Sequence, residues 1–323
     1  MLLPSIALLL VVGCQAQSQP LPKSAKLGPE KVAAIAERID SRYPKLSDDL
    51  RSQMLSTVVR SLDEMVFIEG GEFEMGDFGA PCDFDQTNMG TWPYGYEPDE
   101  LCPITGKFDD DYLHQVRLSS YYLASYQTRL GDFDVFRASL GLPLFDEVLR
   151  ERGFFHENKP APTMKWQEAK DYCLWLGGLS GHAIDLPTEA QWEYAARNRG
   201  KYVHYPTDTG SLNYGKNIPK DEETNELAIG QFAPGPLGLY DMAGNATDWV
   251  NDWYDPEYYR NSPSENPQGP ESGTQKVRRG SSISELNWQA ANTVRRWPEP
   301  PASTRHFPDS SFRCAIQSGQ SLN

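Results

Sequence analysis

The chain has 323 residues, a hydrophobic content of 39% and a net charge of −15 at pH 7. This length accommodates one large domain or two small ones. The negative charge argues against nucleic acid or an anionic membrane surface as a partner, and it suits a cation or a basic protein. The 25 prolines, 26 glycines, 16 tyrosines and 8 tryptophans predict a loop-rich domain held together by aromatic packing.

The chain begins with an apolar run, MLLPSIALLLVVGCQAQ, which is too short to cross a bilayer and is typical of a secretory signal. Residues 11–14, VVGC, resemble a bacterial lipobox, in which cleavage before a cysteine precedes lipidation of that cysteine. We therefore predict a lipoprotein signal peptide over residues 1–14 and a lipid anchor at Cys14. Gln15 favours the outer membrane, facing the periplasm. An ordinary signal peptide is the alternative, and the lack of Lys or Arg before the run is atypical of both.

Export changes the interpretation of the other cysteines. The four that remain are an even number in an oxidising compartment, and three pairings of them are possible. None lies in a CxxC motif, and the five histidines are scattered, so we do not expect a zinc or non-haem iron site from local motifs.

Two helices are predicted after a short polar segment. Residues 15–28 are rich in Gln, Ser, Pro and Lys and predict a flexible tether. Residues 29–64 predict a helical hairpin, because Pro29 opens one apolar stripe and Ser47 caps a second. Partner binding by this hairpin is possible, but packing on the main domain is the simpler interpretation.

The remainder, residues 65–318, is predicted as one α+β domain with little regular structure. MVFIEGGEFEMG alternates apolar and polar residues around a Gly-Gly pair and predicts a β-hairpin. Residues 78–112 are acidic, aromatic and rich in Gly and Pro, and predict a long ordered loop. Short helices are predicted in LGDFDVFRASLG, WQEAKDYCLWLGGLSG and LPTEAQWEYAARNRG, the last with a capping box of Thr188 and Gln191. Short strands are predicted at 277–283 and 312–316.

The motifs that carry a family resemblance are FIEGGEFEMG, WQEAKDYCLWLGG, LPTEAQWEYAARNRG, GLYDMAGNATDW, RRGSS and PDSSFRCA, in this order. They resemble the formylglycine-generating enzyme family, also called the sulfatase-modifying-factor domain. The resemblance implies a fold with little secondary structure, related to the C-type lectin fold, here preceded by the helical hairpin. Fold alone does not fix function.

The resemblance also implies structural calcium. In the first site the ligands are the side chains of Asp241 and Asp248 and the carbonyls of Gly244 and Ala246. Oxygen donors of this kind suit Ca²⁺, although the family more often has Glu where Asp248 stands. A second, less secure site comprises Asn213, the Tyr214 carbonyl, Asp221 and the Glu223 carbonyl. The alternative for both is a metal-free turn held by Asx hydrogen bonds.

Two further implications concern the cysteines. The family links the cysteines that correspond to Cys173 and Cys314, which leaves Cys82 and Cys102 to pair with each other. The enzymes of the family hold copper with two cysteines whose positions are taken here by Ser284 and Gln289. Neither residue holds Cu(I), so we expect no copper and no formylglycine-generating oxidase activity.

A degenerate cleft remains where the family has its active site. Its polar and aromatic residues form the default ligand site of an unannotated fold, and the alternative is that they are ordinary loop residues. The candidates are Ser281, Ser282, Ser284, Glu285, Asn287, Trp288, Arg295, Arg296, His306 and Asp309. No separate iron-binding helical domain, GxSxG motif or phosphate-binding loop is found.

The sequence favours a non-catalytic lipoprotein of the cell envelope that binds a partner protein, in secretion or motility machinery or as protection against a toxic effector. Two alternatives from other classes stay open. One is an enzyme of unknown oxidative or transfer activity in the degenerate cleft. The other is a calcium-dependent glycan-binding module, suggested by the lectin-like fold and the surplus of Trp and Tyr.

Overall fold

The structure is a computed structural model that describes residues 20–146, 150–151, 156–220, 227–302 and 309–322. The predicted signal peptide and Cys14 lie outside these residues. No helix within the described ranges is long and apolar enough to cross a membrane.

Two helices open the described chain, α1 (Pro29–Arg42) and α2 (Asp48–Asp63). Pro29 begins α1, where its missing N–H costs no hydrogen bond. The Ser47 hydroxyl accepts a hydrogen bond from the Leu50 N–H at 3.2 Å and caps α2. The apolar stripes of both helices are buried in one hydrophobic cluster with the helices and sheet of the main domain.

Part of the segment predicted as a tether is packed instead. The Asp63 carboxylate accepts hydrogen bonds from the backbone N–H groups of Ala25 and Lys26 and from the Ser24 hydroxyl. Leu27 is 7% exposed and belongs to the core. The tether prediction was therefore wrong for these residues, because an acidic side chain at the end of α2 supplies acceptors for their backbone.

The first strands do not form the predicted hairpin. Strand β1 (Met65–Ile68) and strand β2 (Gly71–Met75) lie in different sheets. A Cβ on Gly70 would lie 2.2 Å from the Leu118 carbonyl oxygen, so this glycine permits close backbone approach and is not part of a two-residue turn. β2 pairs antiparallel with β3 (His114–Leu118), and β1 pairs with β4 (Tyr121–Ala124).

The first four-stranded sheet has the order β1-β4-β10-β5 and is antiparallel throughout. Its remaining strands are β5 (Ile184–Asp185) and β10 (Ala315–Ile316). Residues near the end of the described chain thus lie between two strands that come much earlier in the sequence, β4 and β5.

The second four-stranded sheet has the order β8-β7-β6-β9. Its members are β6 (Thr247–Trp253), β7 (Lys276–Arg279), β8 (Trp297–Glu299) and β9 (Ser310–Phe312). β6 pairs antiparallel with β7 and parallel with β9. The strand predicted at 277–283 corresponds to β7, and the one predicted at 312–316 is divided between β9 and β10, whereas β6 and β8 were not predicted.

The predicted helices of the main domain are confirmed as α3 (Leu130–Ser139), α4 (Trp166–Ser180) and α5 (Glu189–Ala196), and a single turn follows as α6 (Tyr258–Asn261). The capping box forms: the Gln191 N–H donates to the Thr188 hydroxyl at 3.1 Å, and the Thr188 N–H donates to the Gln191 amide oxygen at 2.9 Å. α4 ends at Gly181, whose φ of 85° is the left-handed conformation that glycine adopts most easily.

Both expected disulfides are confirmed. Cys173 and Cys314 link α4 to the chain just before β10 and are almost fully buried. Cys82 and Cys102 close a loop within the acidic segment, where Ala80 and Cys102 also exchange backbone hydrogen bonds at 2.9 and 2.8 Å.

Candidate functional site

The GLYDMAGNATDW segment leads directly into β6 at the centre of the second sheet. Trp249 is fully buried, and its indole N–H donates to the Thr163 carbonyl at 3.3 Å. The Lys276 ammonium lies 3.9 Å from the Trp253 ring centroid and 3.7 Å from that of Trp166. Trp249 and Trp253 therefore stabilise the domain, the first by burial and a hydrogen bond and the second by cation–π contact.

Asp248 is 1% exposed, and its carboxylate accepts hydrogen bonds on both oxygens. The Trp192 indole N–H and the Arg313 Nε donate to Oδ2 at 2.9 and 2.7 Å. Arg313 is also buried and donates to the Tyr240 carbonyl at 2.9 Å, which ties the segment to the last strands. A guanidinium in this position already neutralises the Asp248 charge.

The amide of Gln127 lies between two of the predicted calcium ligands. Its Nε2 donates to the Ala246 carbonyl at 2.7 Å and to the Asp248 Oδ1 at 2.9 Å, the two groups that would face the ion. Asp241 is held separately, because its Oδ2 accepts from the Gly230 N–H at 2.7 Å. Burial raises the pKa of Asp241 to about 6, against the effect of that N–H and of Arg313.

As arranged, these groups do not fit a calcium ion. Hydrogen-bond donors occupy the carbonyl of Ala246 and both oxygens of Asp248, and Arg313 would repel a cation. The arrangement matches the alternative of a turn held by side-chain hydrogen bonds. Calcium at Asp241, Gly244, Ala246 and Asp248 stays a prediction, and it requires the Gln127 amide to be displaced.

The second predicted calcium site is only partly described. Asn213 begins a tight turn in which its carbonyl accepts from the N–H groups of Lys216 and Asn217 at 2.9 and 3.0 Å. The Asn213 N–H donates to the Asn217 side chain at 2.8 Å, and Tyr214 forms a bridge with Ile218. Asp221 and Glu223 lie outside the described residues.

The structure brings several cleft candidates onto one surface loop. Ser284 lies in a 3₁₀ turn, Ile283–Glu285, and its hydroxyl is 3.1 Å from that of Ser282. The side chain of Asn287 accepts from the backbone N–H groups of Gln289 and Ala290. Trp288 is 41% exposed, and its ring meets Phe84 edge-on with 5.6 Å between centroids. Ser284, Asn287, Trp288 and Gln289 all face solvent.

Three other candidates, Ser281, Arg296 and Asp309, are buried and hold the domain together, so the prediction that they line a ligand cleft was wrong. The Ser281 hydroxyl and carbonyl accept from the Gly244 N–H at 3.1 and 2.9 Å. Arg296 is 2% exposed and paired with Glu189, and Asp309 is paired with the buried Arg278 at 3.1 Å. Arg295 lies half-buried over the Trp297 ring at 4.4 Å. His306 lies outside the described residues.

A buried ionic network occupies the centre of the domain, and the sequence analysis missed it. Glu189 accepts from Arg296 and from Arg279, while Glu193 accepts from Arg279 and Arg197, all between 2.8 and 3.0 Å. All five side chains are at most 2% exposed. The network joins α5 to β7 and to the chain before β8. The available signal was a pair of glutamates one turn apart on a helix whose other residues are mostly apolar.

The network fixes the charge state of its members. Burial alone would raise the pKa of Glu189, but Arg296 and Arg279 together outweigh it and hold that pKa below the usual value. Asp252 accepts from the Glu189 N–H at 2.8 Å, and no guanidinium of the described residues donates to its carboxylate. Burial and the neighbouring Glu189 charge raise the pKa of Asp252 to about 7.

Comparison with known proteins agrees with this architecture. The family described as the sulfatase-modifying factor enzyme 1-like domain matches residues 51–318. The chain belongs to this family.

The curated relatives of this chain include proteins named as enzymes of two kinds and one named as inactive. A formylglycine-generating enzyme of Streptomyces coelicolor is 28% identical over 79% of this chain and 90% of its own length. A serine/threonine-protein kinase Pkn1 of Chlamydia trachomatis is 29% identical over 86% of this chain. This match spans only 41% of the kinase. An inactive C-alpha-formylglycine-generating enzyme 2 of mouse is 29% identical over 50% of each chain.

Solved structures share the fold. PvdO from Pseudomonas aeruginosa superposes with a TM-score of 0.59 at 22% identity, covering 78% of this chain and 93% of PvdO. Treponema denticola variable protein 1 superposes with a TM-score of 0.54 at 18% identity, covering 78% of this chain and 94% of that protein. At these identities the likeness concerns the fold alone.

Proposed function

We propose that this protein is a non-catalytic member of its family, anchored in the cell envelope, that binds a basic partner protein. The observation that carries the proposal is that the described residues include no free thiol that could bind copper. Ser284 and Gln289 stand at the positions that hold copper in the enzymes, and the four described cysteines are all engaged in disulfides. A Cu(I) site needs soft thiolate donors, which neither serine nor glutamine supplies.

The acidic loop between β2 and β3 is the surface best suited to a basic partner. Lys107 is the only basic residue from Asp77 to Asp111, and nine acidic residues share this stretch with it. The loop also exposes large apolar side chains, with Phe108 at 88%, Tyr96 at 48% and Tyr112 at 43%. Aromatic side chains surrounded by charge are typical of protein interfaces, and the charge selects a partner of opposite sign.

The test is site-specific photo-crosslinking in the cell that produces the protein. A photoreactive phenylalanine analogue replaces Phe108 in the full chain, and adducts are identified by mass spectrometry. We expect one protein of basic surface charge to be captured, and capture to weaken as salt is raised, because the attraction is electrostatic. The same analogue at Phe67, which is 47% exposed on β1, is the matched control.

The outcomes of these measurements distinguish a partner-binding protein from a glycan-binding module and from an enzyme. Adducts at Phe67 but not at Phe108 would contradict this docking surface. If neither position captures a protein, partner binding is wrong, and a glycan screen with and without chelator tests the lectin-like alternative. Conversion of a Cys-x-Pro-x-Arg peptide to an aldehyde by the purified chain would overturn the non-catalytic proposal outright.

A further inference from the structure

Three aspartates meet at the base of the acidic loop. Asp77 follows β2, and Asp110 and Asp111 shortly precede β3, so the pairing of these strands brings both ends of the loop together. One carboxylate oxygen from each of the three lies within 4.8 Å of the other two. The Asp77 N–H donates to the Asp110 carbonyl at 2.7 Å, which fixes the backbone on both sides.

The hydrogen bonds of this cluster are incomplete. Asp77 accepts from the N–H groups of Gly79 at 2.9 Å and Thr105 at 3.0 Å. Asp110 accepts on Oδ1 from the Thr105 hydroxyl at 2.6 Å. Asp110 is 0% exposed, so its Oδ2 is shielded from water. This oxygen also has no hydrogen-bond partner among the described residues.

A buried carboxylate oxygen without a partner is costly, and native structures rarely leave one unmatched. None of the ion pairs between described residues includes Asp77, Asp110 or Asp111. A cation bound between the three carboxylates would supply the partner that Asp110 Oδ2 lacks among the described residues.

We propose that Asp77, Asp110 and Asp111 form a calcium site that closes the base of the acidic loop. The donors are all carboxylate oxygens, which hard cations prefer, and the cluster found among the described residues includes no thiolate or imidazole that would favour zinc or copper. Asp77 and Asp111 also line a surface cavity of about 520 Å³, which gives the ion access and room for water ligands. Calcium is preferred over magnesium because an irregular loop tolerates its flexible geometry.

The site is distinct from Asp241 and Asp248, and it stands whether or not the partner-binding proposal is correct. Its physical effect is to tie Asp77 to Asp110 across the neck of a loop that the Cys82–Cys102 disulfide closes further out. Calcium sites of extracellular modules bind with dissociation constants of about 10⁻⁴–10⁻³ M, and three carboxylates place this one at the tight end.

Terbium luminescence tests the site directly. Tb³⁺ substitutes for Ca²⁺, and its emission is sensitised by a nearby tryptophan; Trp92 lines the same cavity. We expect the full chain to show emission on excitation of tryptophan, and Ca²⁺ to displace it. Asp110→Asn and Asp111→Asn should each lower the emission at least tenfold. Asp83→Asn, which changes an exposed aspartate in the same loop, should leave it unchanged.

Thermal unfolding supplies the second measurement. Ca²⁺ should raise the Tm of the wild type and of Asp83→Asn but not that of Asp110→Asn, because a ligand stabilises only a chain that binds it. Without Ca²⁺, Asp110→Asn should unfold no earlier than the wild type, since the Asn side-chain oxygen can still accept from the Thr105 hydroxyl. If Asp110→Asn does not fold, Asp111→Asn decides, because Asp111 is the most exposed of the three. Wild-type emission and Ca²⁺ response in Asp111→Asn and Asp110→Asn would overturn the proposal.

Discussion

Glu189 and Arg296 form a bidentate ion pair in the interior of the domain. Arg296 Nε donates to Glu189 Oε1 at 2.8 Å, and Nη2 donates to Oε2 at 3.0 Å. Both residues are 2% exposed, and Oε1 also accepts from Arg279 at 2.9 Å. One glutamate thus compensates two guanidinium groups that water does not reach.

Removal of this charge should be strongly destabilising. We expect Glu189→Gln to lower the free energy of unfolding by about 3–5 kcal/mol, because it takes the carboxylate partner from the buried Arg296 and leaves Arg279 with Glu193 alone. Denaturant unfolding of the full chain measures the change. Glu72→Gln is the control, since Glu72 pairs with Arg117 in an exposed salt bridge, and such pairs contribute about 0–1 kcal/mol. Equal effects of the two substitutions would contradict this ranking.

His204 should make the domain sensitive to acid. The residue is 2% exposed, and neither ring nitrogen has a hydrogen-bond partner among the described residues. Burial lowers the pKa of His204 to about 3, whereas an unfolded chain binds the proton near pH 6.5. Stability from this residue is therefore complete above pH 6.5, and it falls by about 1.4 kcal/mol per pH unit from there towards pH 3.

The measurement is the free energy of unfolding between pH 7 and pH 4.5 in wild type and His204→Phe. Phenylalanine keeps a ring beside Phe84 and Tyr205 and cannot be protonated. The difference between the two proteins should grow in favour of the variant as the pH falls. An exposed histidine, His156, provides the control in His156→Gln. A difference that does not change with pH would show that His204 is not the acid-sensitive group.

The two disulfides should differ in their contribution to stability. Cys173 and Cys314 are separated by 141 residues, and Cys82 and Cys102 by 20. Loop-closure entropy then predicts losses of about 5 and about 3 kcal/mol when each pair is replaced by alanine. Cys82 is exposed while Cys173 is buried, so a mild reductant should open the loop disulfide first. Thiol labelling followed by peptide mapping measures the order, and first labelling at Cys173 would contradict it.

Gly70 should be intolerant of even one methyl group. A Cβ there would lie 2.2 Å from the Leu118 carbonyl oxygen and 2.7 Å from backbone atoms of the next two residues, which cannot move aside as a side chain would. We expect Gly70→Ala to lower Tm by at least 5 °C, about the effect of 2 kcal/mol in a domain of this size. Gly28→Ala, where nothing lies within 4 Å, should leave Tm within about 1 °C.

Local patterns predicted the helices of the main domain well. α4 and α5 carry apolar stripes, and α5 adds a capping box whose two hydrogen bonds both form. Such signals depend on residues within one or two turns, so no knowledge of the rest of the chain is needed.

Short sequence patterns could not predict which strands pair with each other or which charged side chains are buried. The alternation around Gly70 indicates extended chain but not its partner, and β1 pairs with β4 at Tyr121–Ala124 after the chain has passed through the whole acidic loop. Glu189 and Glu193 are polar by residue type, and only the arginines supplied by distant segments explain their burial. The same holds for Asp77 and Asp110, which meet only once β2 and β3 pair.

The placement of β9 and β10 has a consequence for biosynthesis. Residues 310–316 complete both four-stranded sheets: β9 adds a strand beside β6, and β10 fills the gap between β4 and β5. A ribosome delivers these residues after all the other strands of the two sheets. Neither sheet can close before they have emerged, so the final pairing of both sheets is a late step in folding. A stop codon that removed only these last strands would leave two sheets with unpaired edges.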